Sequence, residues 1–308
     1  MALYLLTIVS VLLLAPLLTG SIKSFKMWLL FRRPVKPWQP YADFSKLLHK
    51  EVVLSREASW LTQWSPYLVL SPIVVAVLML PPVNAQAWFM DWSDAFTLTG
   101  LMALSAFFLM LLGLDQASGF GGMGASREAF ISALVEPVMI LTMFSVSLLA
   151  GHLDLGRAAQ VLGSDFPWTQ GASFLFAAVA FFMLLLAENG RIPIDNPETH
   201  LELTMVHEAM ILDLSGWQLA LIESASSLKF ALFAALFATL FLPFGYSLSW
   251  PLALLVFWLK LFLVAMGVAL IEVSTAKLRL FKVPNLLAVA VLLSFLSLIL
   301  FYMAGGIS

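Results

Sequence analysis

Between Ala187 and Ser215 the chain places six of its eighteen carboxylates, Glu188, Asp195, Glu198, Glu202, Glu208 and Asp213, together with Arg191, His200 and His207. Carboxylates, imidazoles and a guanidinium at this density can relay protons when burial and neighbouring charge shift their proton affinities. Leu201, Leu203, Met205, Val206, Met210, Ile211 and Leu212 are interleaved with them. Much of the segment should therefore be shielded from water, and buried acids are costly unless paired. Asn196 or Asp195 ahead of Pro197 reads as a helix start, with Glu198 near the positive end of the macrodipole. On that short helix Glu198 and Glu202 lie four apart on one face and His200 and His207 seven apart, which should raise at least one carboxylate pKa. A zinc hydrolase reading of His207-Glu208 fails, because Ile211 stands where the second His would be needed.

A second constellation runs from Gly113 and Asp115 through Gly119, Gly121, Gly122 and Gly124 to Arg127 and Glu128, then to Glu136-Pro137. A phosphate cradle is the first chemistry to test there. No P-loop Lys follows, and the chain enters an apolar span, so these glycines read instead as tight turns or close helix approach. Glu136 lies about two turns inside that span, and an acid inside a membrane marks an ion or proton route by default. Glu223, Lys229, Lys260 and Glu272 extend the series. Lys229 follows Glu223 by six residues, too far round a helix for an ideal pair, so its partner is expected on another span.

The elements that must position these groups are membrane helices. Of the 308 residues 61% are apolar and only 11% charged, and mean hydropathy is +0.97, far from the balance of soluble domains. Stretches long enough to cross about 30 Å of hydrocarbon fall near residues 2–19, 65–82, 95–114, 129–151, 170–187, 216–243, 249–271 and 284–304. The expectation is an all-α integral membrane protein, a single transmembrane domain over 1–308 with about eight spans and short amphipathic cytoplasmic helices. The odd-numbered loops, about 20–64, 115–128, 188–215 and 272–283, hold eight, one, one and three Lys or Arg, against none, one and none in the even ones. By the positive-inside rule the odd loops are cytoplasmic and both termini face the outside.

The N-terminal run Ala2 to Leu18 lacks a basic leader region and reads as a retained first span. The long first loop opens with Pro34, Pro37 and Pro40, and Tyr41 to Val53 is expected as a short surface helix carrying Lys46 and Lys50. Such a helix suits anionic lipid or a soluble partner. Trp88, Trp92, Trp168 and Trp250 fit an interfacial aromatic belt. The absence of Cys removes disulfides, cysteine-ligated iron–sulfur clusters and thiolate zinc sites from this polypeptide. No basic surface suggests nucleic acid, and no metal site is expected in the chain.

Gly124-Ala-Ser-Arg-Glu128 with Glu136-Pro137, Glu188-x-Gly-Arg-Ile-Pro193, the acidic run to Ser215-Gly216 and the segment Glu272 to Arg279, with Arg32-Arg33, Gln39 and Asp43 to Lys50, together resemble the H subunit (subunit 1) of respiratory complex I. They are closer still to formate hydrogenlyase subunit 4 of membrane-bound group 4 nickel–iron hydrogenases. The resemblance covers nearly the whole chain. It departs at Arg33-Pro34-Val35-Lys36, where relatives carry Arg-Gly-Pro-Gly, and over Thr199 to His207, which is hydrogenase-type.

The resemblance implies a subunit of the prokaryotic cytoplasmic membrane that anchors a soluble redox module and couples it to proton or sodium movement. Glu128, Glu136, Glu188, Asp195, Glu198, Glu202, Glu208, Asp213, Lys229 and Glu272 would form the relay. Arg32, Arg33, Asp43, Lys46, Arg127, Arg191, His200, His207 and Arg279 would serve docking or the junction chamber. Large and small hydrogenase-like subunits and antiporter-like membrane subunits would be its partners, beside membrane lipid. Iron–sulfur clusters and a nickel–iron centre would lie in those partners, with quinone left open. A quinone-binding H subunit of an NADH:quinone oxidoreductase is the neighbouring alternative. A stand-alone ion-coupled transporter is the rival of another class.

Overall fold

The computed structural model describes residues 2–55, 57–80, 94–164, 168–195, 206–245, 248–279 and 282–304. The chain is an all-α integral membrane protein, 80% helical, with no strand among the described residues. Among the described residues eight helices are long and apolar enough to cross a membrane: α1 (Ala2–Leu29), α3 (Trp60–Leu78), α4 (Ala95–Asp115), α5 (Gly119–Ala150), α7 (Gly171–Glu188), α9 (Gly216–Leu240), α10 (Trp250–Ser274) and α11 (Val283–Met303). Three shorter helices join them: α2 (Gln39–Leu48), α6 (Leu155–Ser164) and α8 (His207–Ile211).

Most spans begin and end within a few residues of where hydropathy places them, but α1 and α5 are longer. At 28 and 32 residues they measure about 42 and 48 Å, well beyond a hydrocarbon core of about 30 Å. The glycine-rich segment expected as loop is the first turn and more of α5. Ser118 caps it, its Oγ accepting from Gly121 N at 3.0 Å, so Arg127 and Glu128 stand on a helix. Helix α6, between α5 and α7, has no counterpart in the hydropathy pattern; Asp154 starts it by accepting from Gly156 N at 2.7 Å and Arg157 N at 3.1 Å.

Helix α9 is the axis of the bundle: 72% of its apolar stretch is buried, against 28% for α11 at the perimeter. Phe181 of α7 meets Phe233 and Phe241 with ring centroids 6.1 and 5.4 Å apart. Lipid supplies no water to be driven out, so polar contacts hold helices together as well. Ser173 Oγ donates to Ser297 O at 2.7 Å and Ser297 Oγ donates to Ser173 O at 2.8 Å, a reciprocal clasp between α7 and α11. Asp115, ending α4, accepts from Ser59 and Thr62 backbone N–H at 3.1 and 3.0 Å and from both hydroxyls at 2.6 Å. That acid fixes the start of α3.

Helix α2 folds back beside α1. A Cβ at Gly20 would overlap the Pro37 carbonyl, and Tyr41 Oη donates to Leu13 O at 2.6 Å. The chain from Lys50 to Val53 then crosses the start of α9, where Val53 N donates to Ser215 Oγ at 2.7 Å. These segments lie at the charged end of the bundle, where nearly all the ionisable side chains gather.

Candidate functional site

Helix α7 delivers Glu188 to the charged end, and the chain then turns through Gly190, whose φ of +54° is the left-handed conformation that glycine adopts without cost. The turn sends residues 191–195 inward, and all five are buried. They are held by the chain leaving α10: Leu278 N donates to Pro193 O at 2.8 Å, and Lys277 Nζ lies 2.7 Å from Asp195 Oδ1. Asp195 Oδ2 also accepts from Val206 N at 3.2 Å, so one carboxylate joins both ends of the acidic segment. Arg191 stacks over Phe230 at 5.1 Å from the ring centroid and lies 3.4 Å from Glu272, which Lys26 approaches to 3.4 Å from α1. Two cations on one acid that is 6% exposed offset a desolvation cost that a single exposed pair would not face.

The other half of the site is built on close approach. Gly113 and Gly124 face Met210, whose Cγ would stand 2.9 and 3.0 Å from a Cβ at either position, and Gly124 also meets the Val206 carbonyl. Helix α8 therefore sits in a groove between α4 and α5 that side chains would fill. Seated there, His207 Nδ1 lies 3.5 Å from Glu128 Oε2. Burial alone favours the neutral ring. The charge of Glu128 and its hydrogen bond outweigh that, so the imidazole pKa is raised above its ordinary 6.5. Across the bundle Lys229 Nζ lies 2.5 Å from Glu188 Oε2, which supplies the partner on another span that the sequence required.

Of these groups Glu128, Arg191, His207 and Lys229 border a cavity of about 410 Å³, which Glu208 and Glu223 also line. Val69, Ile73, Leu109 and Ile222 form an apolar part of the wall, and Asp43, Lys46 and Lys50 contribute from the α2 side. Asn189 also lines it, and its Oδ1 is buried without a hydrogen-bond partner among the described residues. The arrangement alternates acid and base over several elements, the condition for handing a proton between neighbours without stranding a charge. Among the described residues no cluster of His, Cys, Asp or Glu could hold a metal ion.

The structure thus brings together Glu128, Glu188, Arg191, Asp195, His207, Lys229 and Glu272, with Glu208, Asp43 and Lys46 on the cavity wall. Asp213, Arg32, Arg33 and Arg279 are exposed, and Arg127 is half-buried. Glu136 is half-buried two turns further along α5, beside the exposed Ala133, Pro137 and Ile140, and forms no ion pair among the described residues. Glu198, His200 and Glu202, and with them the like-charged pair expected to raise a carboxylate pKa, lie outside the described residues. Sequence reasoning did not single out Lys26 or Lys277. A Lys at a span end reads as an orientation signal, and only a contact with a distant acid distinguishes it. Lys260, deep in α10, is answered at the far end of the bundle: it donates to Leu242 O at 2.5 Å and lies 4.3 Å from the Phe244 ring centroid.

A family model described as NADH dehydrogenase matches residues 4–303. Hydrogenase-4 component C of Escherichia coli is 34% identical over 278 residues, covering 88% of this chain and 86% of that protein. Formate hydrogenlyase subunit 4 of Escherichia coli is 29% identical over 277 residues, covering 88% and 89%. Among solved structures, a chain of the membrane-bound sulfane sulfur reductase, an archaeal respiratory membrane complex, superposes with a TM-score of 0.81 over 96% of this chain and 98% of that one. At 16% identity that likeness speaks for the fold alone.

Proposed function

This chain belongs to the NADH dehydrogenase subunit 1 family, and on that premise we propose that it is the membrane-anchoring and ion-coupling subunit of a complex-I-like oxidoreductase of the group 4 hydrogenase or formate hydrogenlyase type. Its charged end faces the cytoplasm of a prokaryotic cell, receives the soluble redox module, and leaves both termini on the outer side. Iron–sulfur clusters and a nickel–iron centre belong to the hydrogenase-like subunits, since this chain has no Cys to ligate them. Antiporter-like membrane subunits take up the ion beyond it.

The observation that carries this reading is the set of acids Glu128, Glu188, Asp195 and Glu272, each buried or half-buried and each paired with a base, with Glu128 and the bases Arg191, His207 and Lys229 lining one cavity. A redox event in a module seated above would change the local potential, and at low dielectric a nearby charge moves proton affinities strongly. The relay runs from the cavity through these pairs, and Glu136, at the outward side of α5, passes the ion to a neighbouring membrane subunit. Arg127 and Arg279 belong to the docking surface, and Asp213, exposed at the same end, belongs to the relay.

Co-purification tests the assignment. Solubilised under mild conditions, the chain should arrive with subunits that carry iron–sulfur and nickel–iron centres. A homo-oligomer that transports ions without them would favour the stand-alone transporter instead. One observation favours a second reading, a quinone-binding subunit. The cavity is within the size range of small-molecule sites and sets an apolar wall against Asn189, Glu128 and His207. Cross-linking of a photoreactive quinone to this wall would support it, and labelling confined to other subunits would remove it.

A further inference from the structure

Helix α1 ends in an unusual way. Arg32 N donates to Met27 O at 2.9 Å and Phe31 N to Trp28 O at 3.1 Å, the hydrogen-bond pattern of a left-handed helix stop that glycine normally occupies. Here the left-handed residue is Phe31, at φ +54°, and its side chain is 100% exposed. A bulky residue in that conformation is a true outlier, and no packing among the described residues repays it. Trp28, one turn before it, and Trp38, further along the returning chain, are 62% and 59% exposed. Arg32, Arg33 and Lys36 are exposed as well and form no ion pair among the described residues, and no acid occurs between Gly20 and Ala42.

The place of this rim decides what covers it. At 100° per residue Trp28 falls on the same broad side of α1 as Leu6, Val9 and Leu13, which are exposed at 43%, 47% and 64% and face lipid tails along an apolar span. The chain then returns beside that span, with Pro37 against Gly20 and Tyr41 bonded to Leu13. The rim therefore continues the side of α1 that faces lipid, beyond the apolar part of the span. Lys46 and Lys50, on and just after the helix that follows, line the cavity.

We infer that Trp28, Phe31, Arg32, Arg33, Lys36 and Trp38 form a binding site for the anionic phospholipids of the membrane, with the rings at the acyl boundary and the cations on head-group phosphates. Aromatic rings prefer that boundary, basic residues at a membrane surface are drawn to anionic head groups, and an apolar medium around Phe31 accounts for its exposure. The site does not depend on the coupling role proposed above.

Native mass spectrometry tests it, with the full chain released from nanodiscs of mixed phosphatidylglycerol and phosphatidylcholine. The wild-type chain should retain phosphatidylglycerol preferentially. Each cation removed in an R32Q/R33Q/K36Q series should weaken retention about five-fold, while the charge-conserving R32K/R33K variant should keep it. Equal retention of both lipids by the wild-type chain would overturn the proposal. So would a triple variant that keeps its phosphatidylglycerol, including one that instead loses co-purifying soluble subunits, since that outcome assigns the rim to a protein.

Discussion

Lys229 on the central helix α9 places its ammonium 2.5 Å from the carboxylate of Glu188 at the end of α7, with the two side chains 9% and 11% exposed. Removing one partner of such a pair leaves an uncompensated buried charge, whereas removing both does not. Lys229→Met should therefore destabilise the chain by about 3–5 kcal/mol, and Glu188→Gln combined with Lys229→Met should recover most of it. Thermal unfolding of the detergent-solubilised protein reads the difference. Equal losses in the single and double variants would show that the two residues do not act as a unit.

The pairing of His207 with Glu128 should make the seat of α8 pH-dependent. Folding raises the proton affinity of the ring above its ordinary 6.5, so the pair contributes its full stabilisation below that pH. It is lost as pH rises through the raised folded-state value. Limited proteolysis around residues 206–211 should accelerate across that window in the wild-type protein and become pH-independent in His207→Gln. An unchanged profile in the variant would mean that another group titrates.

Glycines a residue apart should behave differently. Alanine at Gly121 meets the backbone carbonyl of Gly113, while at Gly122 it meets nothing within 4 Å. Gly121→Ala should cost about 1–3 kcal/mol by overpacking. Gly122→Ala should be neutral or stabilising by up to about 1 kcal/mol through helix propensity. Thermal midpoints of the two variants check the order, and a reversed order would mean that α4 and α5 do not approach as closely as described.

Glu136→Gln should leave assembly intact and lower redox-linked ion uptake, because the amide keeps shape and hydrogen bonding but cannot release a proton. Uptake by reconstituted vesicles, normalised to electron flux, is the measurement. A variant with wild-type uptake would take Glu136 out of the route.

How much of the molecule is legible in its sequence follows from the range of each force. Hydropathy is a property of neighbouring residues, so eight spans and an all-α membrane fold can be read from runs of apolar residues. The helical offset of Lys229 from Glu223 already requires a partner elsewhere. The identity of that partner cannot be read, since it depends on which helices touch and at what depth. The same holds for Lys26 and Arg191 meeting at Glu272, and for Lys277 meeting Asp195.

The glycine segment shows the division most clearly. By local preference a run containing Gly119, Gly121, Gly122 and Gly124 belongs in a loop, since glycine weakens a helix. The packing of α4 and α8 against Gly121 and Gly124 rewards the absence of side chains and makes the run helical. Residue types by themselves determined that this protein spans a membrane and where its carboxylates are concentrated. Only tertiary structure decided which base answers each acid, because the distance between two charges in low dielectric is set by helix contacts remote in the chain.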